Sequence, residues 1–288
     1  MPKSPAIPRR AFLEGVGLIG GGALASPAPA APAKVIDVHD HLKHHSNPAW
    51  REGDRKLIDA ADKLGIDQLC CSILAPEHPA APESFRQCNL WTAAAMQRFP
   101  GRILGYCYVN PGYTREALQE IRRCVEDRGF MGIKLYNDYQ ASEPVLWPVV
   151  ELAIQLRVPI LQHAGHPSWL PHPQPRISDG SHLSALARRY PEAMLICAHI
   201  CGGGDWEWEI KALRSAPTVY LDTSGSVLDE GVVEMAVRIL GSDRLLFACD
   251  TSLTASVGRI RGADISESDR AKILGGNMQK ILSRRGTR

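Results

Sequence analysis

The sequence lacks a marked excess of charge of either sign. Its 288 residues contain 33 Lys and Arg against 31 Asp and Glu, which gives a formal net charge of +2. Without the first 33 residues, which hold Lys3, Arg9, Arg10 and Glu14, the remainder is close to neutral. A nucleic-acid partner would call for a basic domain or patch, so no such partner is predicted. The hydrophobic fraction of 44% is that of an ordinary globular protein.

The sequence also lacks an apolar run long enough to be a permanent transmembrane helix. The mildly apolar residues 15–25 are short and rich in glycine, whereas a span needs about 20 apolar residues. They follow Arg9-Arg10 and precede small residues, 26–33, of the kind that a signal peptidase cuts. This segment resembles a bacterial twin-arginine signal, which implies the Tat machinery as a partner and a periplasmic or exported protein. A disordered Pro/Ala tail is the alternative, and residues 1–33 are excluded from the fold on either interpretation.

No Cys-x-x-Cys pair is present among the eight cysteines. Most of them lie within apolar, strand-like runs, and a chain that folds before export would bury them as thiols. A periplasmic address would instead permit disulfides. Buried, inert thiols are the favoured interpretation. Cys201 is a candidate nucleophile, but no base is placed beside it by spacing.

What the sequence does contain is a regular alternation of strand and helix patterns. The predicted strands are residues 35–41, 68–73, 103–109, 130–136, 158–163, 193–199, 219–223 and 244–250. The predicted helices are residues 56–64, 85–99, 114–128, 145–156, 182–190, 205–214, 227–240 and 266–282, the last broken near Gly275-Gly276.

Eight strand–helix units in about 255 residues predict an α/β fold, a single-domain (β/α)8 TIM barrel over residues 34–288. A doubly wound open sheet is the alternative, and it would usually show a glycine-rich turn after its first strand. No glycine stands there, because the strand runs into His39-Asp40-His41-Leu42-Lys43. The glycines at 202–204 follow the sixth strand and are interpreted as a flexible active-site turn.

Polar side chains recur at the ends of the predicted strands. His39 and His41 lie one pleat apart on the first strand and therefore point the same way. The fourth, fifth, sixth and eighth strands carry Lys134, His163, His199 and Asp250. The carboxyl ends of barrel strands converge on one face, where catalysis is built. Each residue alone has a structural explanation, but the set together predicts a metal site, since imidazole is the commonest metal ligand.

These motifs resemble the amidohydrolase superfamily of metal-dependent barrels, and specifically its amidohydrolase-related (type 2) family. The resemblance is carried by residues 37–41, 132–135, 162–163, 198–199 and 249–251 and by the closing residues 273–277. It implies one divalent metal, most often zinc, held by His39, His41, His163 and Asp250. It also implies that Asp250 orients a metal-bound water and moves its proton, and that His199 polarises the substrate or acts as a general acid or base.

Lys134 leaves the number of metals open. Binuclear relatives carry a carbamylated lysine on the fourth strand, which would bridge a second metal held by His163 and His199. In mononuclear relatives Lys134 would instead face an anionic substrate or a buried ion-pair partner. The mononuclear alternative is favoured.

The long loop after the fifth strand supplies weaker candidates for contact with substrate. It contains His166, Trp169, His172 and Arg176, and long loops at a barrel mouth are often functional. Trp169 and His172 equally fit a packing role.

Three functions remain open from the sequence. The first is a hydrolase that attacks a C–N or C–O bond of a small amide, lactone or ester. The second is a non-oxidative decarboxylase, which should bind a substrate carboxylate through a nearby arginine, Arg176 being the candidate. The third is a non-catalytic, exported metal-binding barrel. Homo-oligomerisation is compatible with all three.

Overall fold

A computed structural model of the protein describes residues 34–43, 48–168, 171, 174–200, 202 and 204–284. The predicted signal segment, Trp169, His172 and Cys201 lie outside the described residues. Within these ranges, no helix has both the length and the apolar character that a membrane crossing requires.

The described residues form eight parallel strands in one sheet, in the spatial order of the chain. The strands are β1 Ile36–His41, β2 Gln68–Ser72, β3 Ile103–Tyr108, β4 Gly132–Leu135, β5 Ile160–Gln162, β6 Leu195–Cys197, β7 Val219–Asp222 and β8 Leu245–Leu246. Val38 N donates to Phe247 O at 2.9 Å and Asp250 N to His39 O at 2.7 Å, so the last strand returns to the first. The predicted (β/α)8 barrel is confirmed, since an open doubly wound sheet would not follow this order.

Helices separate the strands. They are α1 Pro48–Leu64, α2 Pro82–Arg98, α3 Thr114–Arg122, α4 Trp147–Leu156, α5 Gly180–Arg189, α6 Trp206–Leu213, α7 Val232–Leu240, α8 Leu253–Gly262, α9 Glu267–Ala271 and α10 Asn277–Ser283. Two larger differences from the sequence prediction are that helix α1 begins eight residues earlier and that α8 is not predicted. The predicted break in the closing helix is confirmed as a π-helical turn at Lys272–Gly276.

The core has an inner and an outer part. The inner cluster joins Ile36 and Val38 of β1 to residues of other strands and to Met278 and Ile281 of α10. The outer cluster fills the space between strands and helices. The seven described cysteines are all buried and free, which confirms the prediction of buried thiols for them.

Strand β1 is irregular in its pairing with β2, where the register shifts between Asp37 and Asp40. Simple alternation would place these two carboxylates on opposite faces. Instead both accept hydrogen bonds from the segment that follows β8. A bulge of this kind re-aims side chains locally, and it lies at the end of the strand that carries the first two histidines.

Candidate metal centre

The two histidines of β1 point to a common centre, as predicted. Their Nε2 atoms are 3.3 Å apart. The Nδ1 atom of His39 lies 2.9 Å from the Oδ2 atom of Asp222, and both side chains are buried. Since a carboxylate oxygen only accepts, Nδ1 of His39 carries the hydrogen and its Nε2 presents a lone pair to the centre. The Nδ1 atom of His41 lies 3.2 Å from the hydroxyl oxygen and 3.3 Å from the carbonyl oxygen of Ser72, and the carbonyl, which only accepts, favours the same tautomer.

Asp250 completes this group. Its Oδ1 atom lies 3.4 Å from Nε2 of His41 and 4.0 Å from Nε2 of His39. The ligand atoms of these three residues all lie within 4.8 Å of one another. The convergence of the first and eighth strands that the sequence indicates is therefore present.

A second group adjoins the first and contains a residue that the sequence reasoning missed. His39, His199 and Asp222 also present mutually close ligand atoms. Asp222 Oδ1 accepts from the backbone N–H of His199 at 2.9 Å and from the hydroxyl of Ser224 at 2.6 Å. The position of Asp222 could have identified it, because it is the last residue of β7 and the other polar residues of the centre also lie at the ends of their strands.

His163 lies beside the second group rather than within either of them. Its Nδ1 atom is 3.0 Å from Nε2 of His199, and its Nε2 atom is 2.8 Å from the side-chain oxygen of Gln174. The ring of Tyr136 packs against it with centroids 4.5 Å apart. This arrangement places His163 next to His199, the pairing that a second metal would use.

Lys134 is fully buried and points at the same centre. Its Nζ atom lies 2.8 Å from Nε2 of His39. Burial lowers the pKa of Lys134 to about 8, and the charges of Asp250 and Asp222 oppose that shift. The lysine therefore has access to its neutral form close to physiological pH, the form that carbamylation needs.

Burial also keeps the imidazoles neutral. It lowers the pKa of His39, His163 and His199 well below the ordinary value, and neighbouring positive or imidazole groups add to the effect. The pKa of His41 falls to about 4 for the same reasons, burial first and Lys134 second. These rings are unprotonated at neutral pH, as ligation requires.

The donor set fits a divalent cation. The Nε2 atoms of the two imidazoles and one carboxylate oxygen of Asp250 lie 3.3 to 4.0 Å apart, close enough for all three to bind one small cation. Nitrogen and oxygen donors of this kind suit zinc and other first-row divalent metals. His39 and His41 of β1 with Asp250 would hold the ion.

Arg176 and His166, the two described candidates of the long loop, are not brought into this centre. Arg176 donates to both carboxylate oxygens of Glu143 at 2.9 and 3.0 Å, and its guanidinium lies 4.6 Å from the ring centroid of Tyr139. His166 packs on Trp208, with Asp179 and Asp205 about 4 Å away. These contacts explain both side chains without a substrate.

The fold and the centre define a class, the (β/α)8 barrels with a candidate metal centre at the carboxyl ends of their strands. The chain belongs to the amidohydrolase-2 family, whose model, described as amidohydrolase, matches residues 36–284. The family resemblance drawn from the strand-end motifs is thereby confirmed.

The similar proteins of known activity include several decarboxylases. The chain is 24% identical to a gamma-resorcylate decarboxylase of Polaromonas sp., over 81% of this chain and 90% of that protein. It is 26% identical to a gamma-resorcylate decarboxylase of Rhizobium radiobacter, with the same coverage. Among solved structures, a dihydroxybenzoic acid decarboxylase from Polaromonas sp. with bound manganese and the inhibitor 2-nitroresorcinol superposes with a TM-score of 0.68. That likeness has 22% identity over 88% of this chain and 98% of the other.

Proposed function

We propose that the protein is a metal-dependent, non-oxidative decarboxylase of a small hydroxylated aromatic carboxylic acid. The proposal is supported by the gamma-resorcylate decarboxylases, which match the chain across nine-tenths of their own length. Of the activities considered from the sequence, decarboxylation is therefore placed ahead of hydrolysis.

One observation carries the proposal, the position of Asp250 between two groups. One carboxylate oxygen faces the β1 histidines, and the other lies 3.6 Å from Nδ1 of His199. A single carboxylate can therefore belong to a cation site and lie beside a base, His199, whose Nδ1 atom is hydrogen-bonded to the hydroxyl of Ser224 at 2.9 Å. Decarboxylation requires both, because it binds an anionic substrate and adds a proton to the carbon that loses CO2.

The side of the centre next to His163 suits a flat substrate. Tyr136 packs against His163 at 4.5 Å between ring centroids, and His78 packs against Tyr136 at 4.4 Å. His78 also lies 3.3 Å from the hydroxyl of Tyr108. Stacked rings with polar edges bind aromatic rings and their hydroxyl groups.

The chemistry balances simply. The bond between the ring carbon and the carboxylate carbon breaks, CO2 leaves, and the electron pair on the ring carbon takes a proton. A divalent cation in the centre would supply Lewis-acid stabilisation of negative charge on the substrate. Asp250 and His199 are the groups placed to hold and deliver the proton, and Lys134 supplies positive charge for the anion.

The metal is part of the proposal. Zinc was the expectation from the sequence, whereas the solved Polaromonas relative contains manganese. Two imidazoles and a carboxylate accept either ion. We propose one divalent ion per chain and manganese as the first to test, with zinc as the comparison. Two ions per chain would support the carbamylated Lys134 alternative.

Hydrolysis of a small amide, lactone or ester is the second candidate. A specific observation favours it, because Arg176, the arginine expected to bind a substrate carboxylate, is held by Glu143 instead. The same centre could activate water for hydrolysis.

The test uses the full chain, loaded in turn with manganese and zinc. It is offered 2,6-dihydroxybenzoate and other hydroxybenzoates, and separately a panel of lactones, esters and amides. We expect metal-dependent release of CO2 that is lost in His41→Ala. Hydrolysis of the second panel without CO2 release from the first would reverse the order of the two candidates. If the protein shows neither activity and His163→Ala has the same metal content as wild type, the result would support the third function, a non-catalytic metal-binding barrel.

Export by the Tat route is a separate proposal that rests on the sequence alone, on Arg9-Arg10 and the apolar and small residues that follow them. Replacing Arg9 and Arg10 by lysine should retain the protein in the cytoplasm of a bacterial host, as measured by cell fractionation. Equal periplasmic recovery of both forms would contradict it.

A further inference from the structure

Two buried acidic residues connect the strand of the histidines to the segment of Asp250. The first is Asp37, whose Oδ1 atom accepts hydrogen bonds from the backbone N–H groups of His39 and Cys249, both at 3.0 Å. One donor is a residue of the metal centre, and the other immediately precedes Asp250 in the chain.

The second acidic residue, Asp40, makes the same kind of connection. The Oδ1 atom of Asp40 accepts from the backbone N–H of His41 at 2.7 Å and from that of Thr251 at 3.1 Å. Thr251 immediately follows Asp250. The two acidic residues thus bind both β1 histidines through their backbone and enclose Asp250 from either side.

The enclosed segment has a backbone that needs such support. Asp250 and Thr251 have φ angles of 45° and 69°, in the left-handed region. That region is unfavourable for a residue with a side chain, and it is a rare conformation for a β-branched threonine. The backbone N–H groups of this segment donate hydrogen bonds to the buried carboxylates of Asp37 and Asp40, which stabilises it together with the bond from Asp250 N to His39 O at 2.7 Å.

Neither acidic residue is placed as a ligand. Asp37 and Asp40 belong to neither group of mutually close ligand atoms in the described chain. Their Oδ2 atoms are buried, with no hydrogen-bond partner among the described residues. The hydrogen bonds of their Oδ1 atoms are thus with the backbone that carries the ligands.

We propose that Asp37 and Asp40 are positioning residues that preform the metal centre. Through their Oδ1 atoms they fix the distance between the β1 histidines and Asp250 before any ion binds. The inference rests on the metal centre of the proposed function, and it concerns the assembly of that centre rather than the reaction.

The test is the affinity for manganese alone, measured by calorimetry and by the electron paramagnetic resonance signal of free Mn²⁺. Asp37→Ala and Asp40→Ala should each weaken binding about 10–100-fold, the usual effect of losing a group that orients ligands. Asp37→Asn and Asp40→Asn keep an acceptor oxygen, so they should stay within about threefold of wild type. A merely structural role would not produce this rescue in affinity.

Glu120→Ala is the matched control. Glu120 is equally buried, and it accepts hydrogen bonds from Asn89 and Arg123 in the outer helical layer. It should lower stability to urea without weakening manganese binding. Unchanged affinity in both alanine variants, or an equal loss in Glu120→Ala, would overturn the proposal.

A measurement on the unaltered protein decides the matter if the alanine variants do not fold. In the metal-free full chain, the amide hydrogens of Cys249 and Thr251 should exchange at least about 100-fold more slowly than exposed amides. Exchange as fast as in an exposed loop would show that no preformed connection exists. If wild type binds no manganese, the proposed function fails, and the exchange result still reports on the connection.

Discussion

The buried carboxylate of Asp222 controls the chemical state of the centre although no substrate need touch it. One oxygen faces Nδ1 of His39, and the other accepts from the backbone of His199 and the hydroxyl of Ser224. The first contact fixes the tautomer of His39, and the second holds His199 at a φ of 65°. Fixing the remote nitrogen of a ligand histidine is how surrounding groups tune metal sites.

Asp222→Asn should therefore weaken manganese binding by about 10–100-fold. In the variant, Oδ1 would keep its two donors and an amide NH2 group would replace Oδ2. Its N–H would face the N–H of His39 and favour the tautomer of His39 that has no lone pair at Nε2. Equilibrium dialysis against Mn²⁺ measures the change. Asp229→Asn is the control, because Asp229 lies on the loop after β7 and accepts from the indole N–H of the half-buried Trp206 at the start of α6. Equal affinities in the two variants would contradict this role.

A second buried acid, Glu209 of α6, has no part in the centre but should govern the pH dependence of stability. It accepts from the thiol of Cys197 at 2.8 Å, and burial raises the pKa of Glu209 to about 7. The folded protein therefore keeps a proton that the unfolded chain releases above about pH 4.5. Stability contributed by this group is full below pH 4.5 and is lost as the pH rises to 7.

Glu209→Gln should remove that dependence. Between pH 5 and pH 8, the free energy of unfolding of wild type should fall by up to about 3 kcal/mol more than that of the variant, from a pKa rise of roughly two units. Urea unfolding at the two pH values measures it. Parallel pH dependence in both proteins would show that Glu209 is not the titrating group.

The histidines and Asp250 could be predicted from the sequence because parallel strands bring their carboxyl ends together whatever the loops do. Asp222 followed the same rule and was missed because a single Asp at a strand end is also a common turn residue. The ion pair between Arg176 and Glu143 could not be predicted, because Glu143 lies on another loop and no local pattern indicates which distant side chain an arginine will contact.

At the scale of elements, the order of strands was predictable, but some helices were not. Helix α8 has apolar residues at Leu253, Val257 and Ile260, a helical spacing, but Gly258 and Gly262 reduce its helix propensity. The break in the closing helix was anticipated from Gly275-Gly276. Its cause lies in tertiary packing, because this turn passes directly over the start of β1.

Gly275 shows how tightly these elements meet. A Cβ atom on it would lie 1.8 Å from the carbonyl oxygen of Lys34, a backbone atom that leads into β1. Gly275→Ala should destabilise the protein by about 2–3 kcal/mol, because the neighbouring backbone must shift. Gly258→Ala is the control, since open space surrounds that position in α8 and alanine should stabilise the helix by up to about 1 kcal/mol. Thermal melts of both variants measure the difference, and equal melting temperatures would contradict it.

At the scale of the whole molecule, the centre lies where the barrel closes. His39 and His41 belong to the first strand and Asp250 follows the last, and backbone hydrogen bonds already join these strands. An ion bound by all three would add a link between the two ends of the sheet. Because the unfolded chain cannot assemble these ligands, binding of the ion is coupled to folding.

Removal of metal should therefore lower the stability of the entire barrel rather than loosen one loop. At a free Mn²⁺ concentration a thousand times the dissociation constant, the loaded protein should gain about 4 kcal/mol over the chelator-treated form. That corresponds to roughly 10 °C in melting temperature for a domain of this size. Scanning calorimetry with and without Mn²⁺ measures the shift. Asp250→Asn should melt at nearly the same temperature with and without Mn²⁺, because it loses the link from the last strand to the first. If Mn²⁺ raised the melting temperature of this variant as much as that of wild type, the stabilising ion would bind elsewhere.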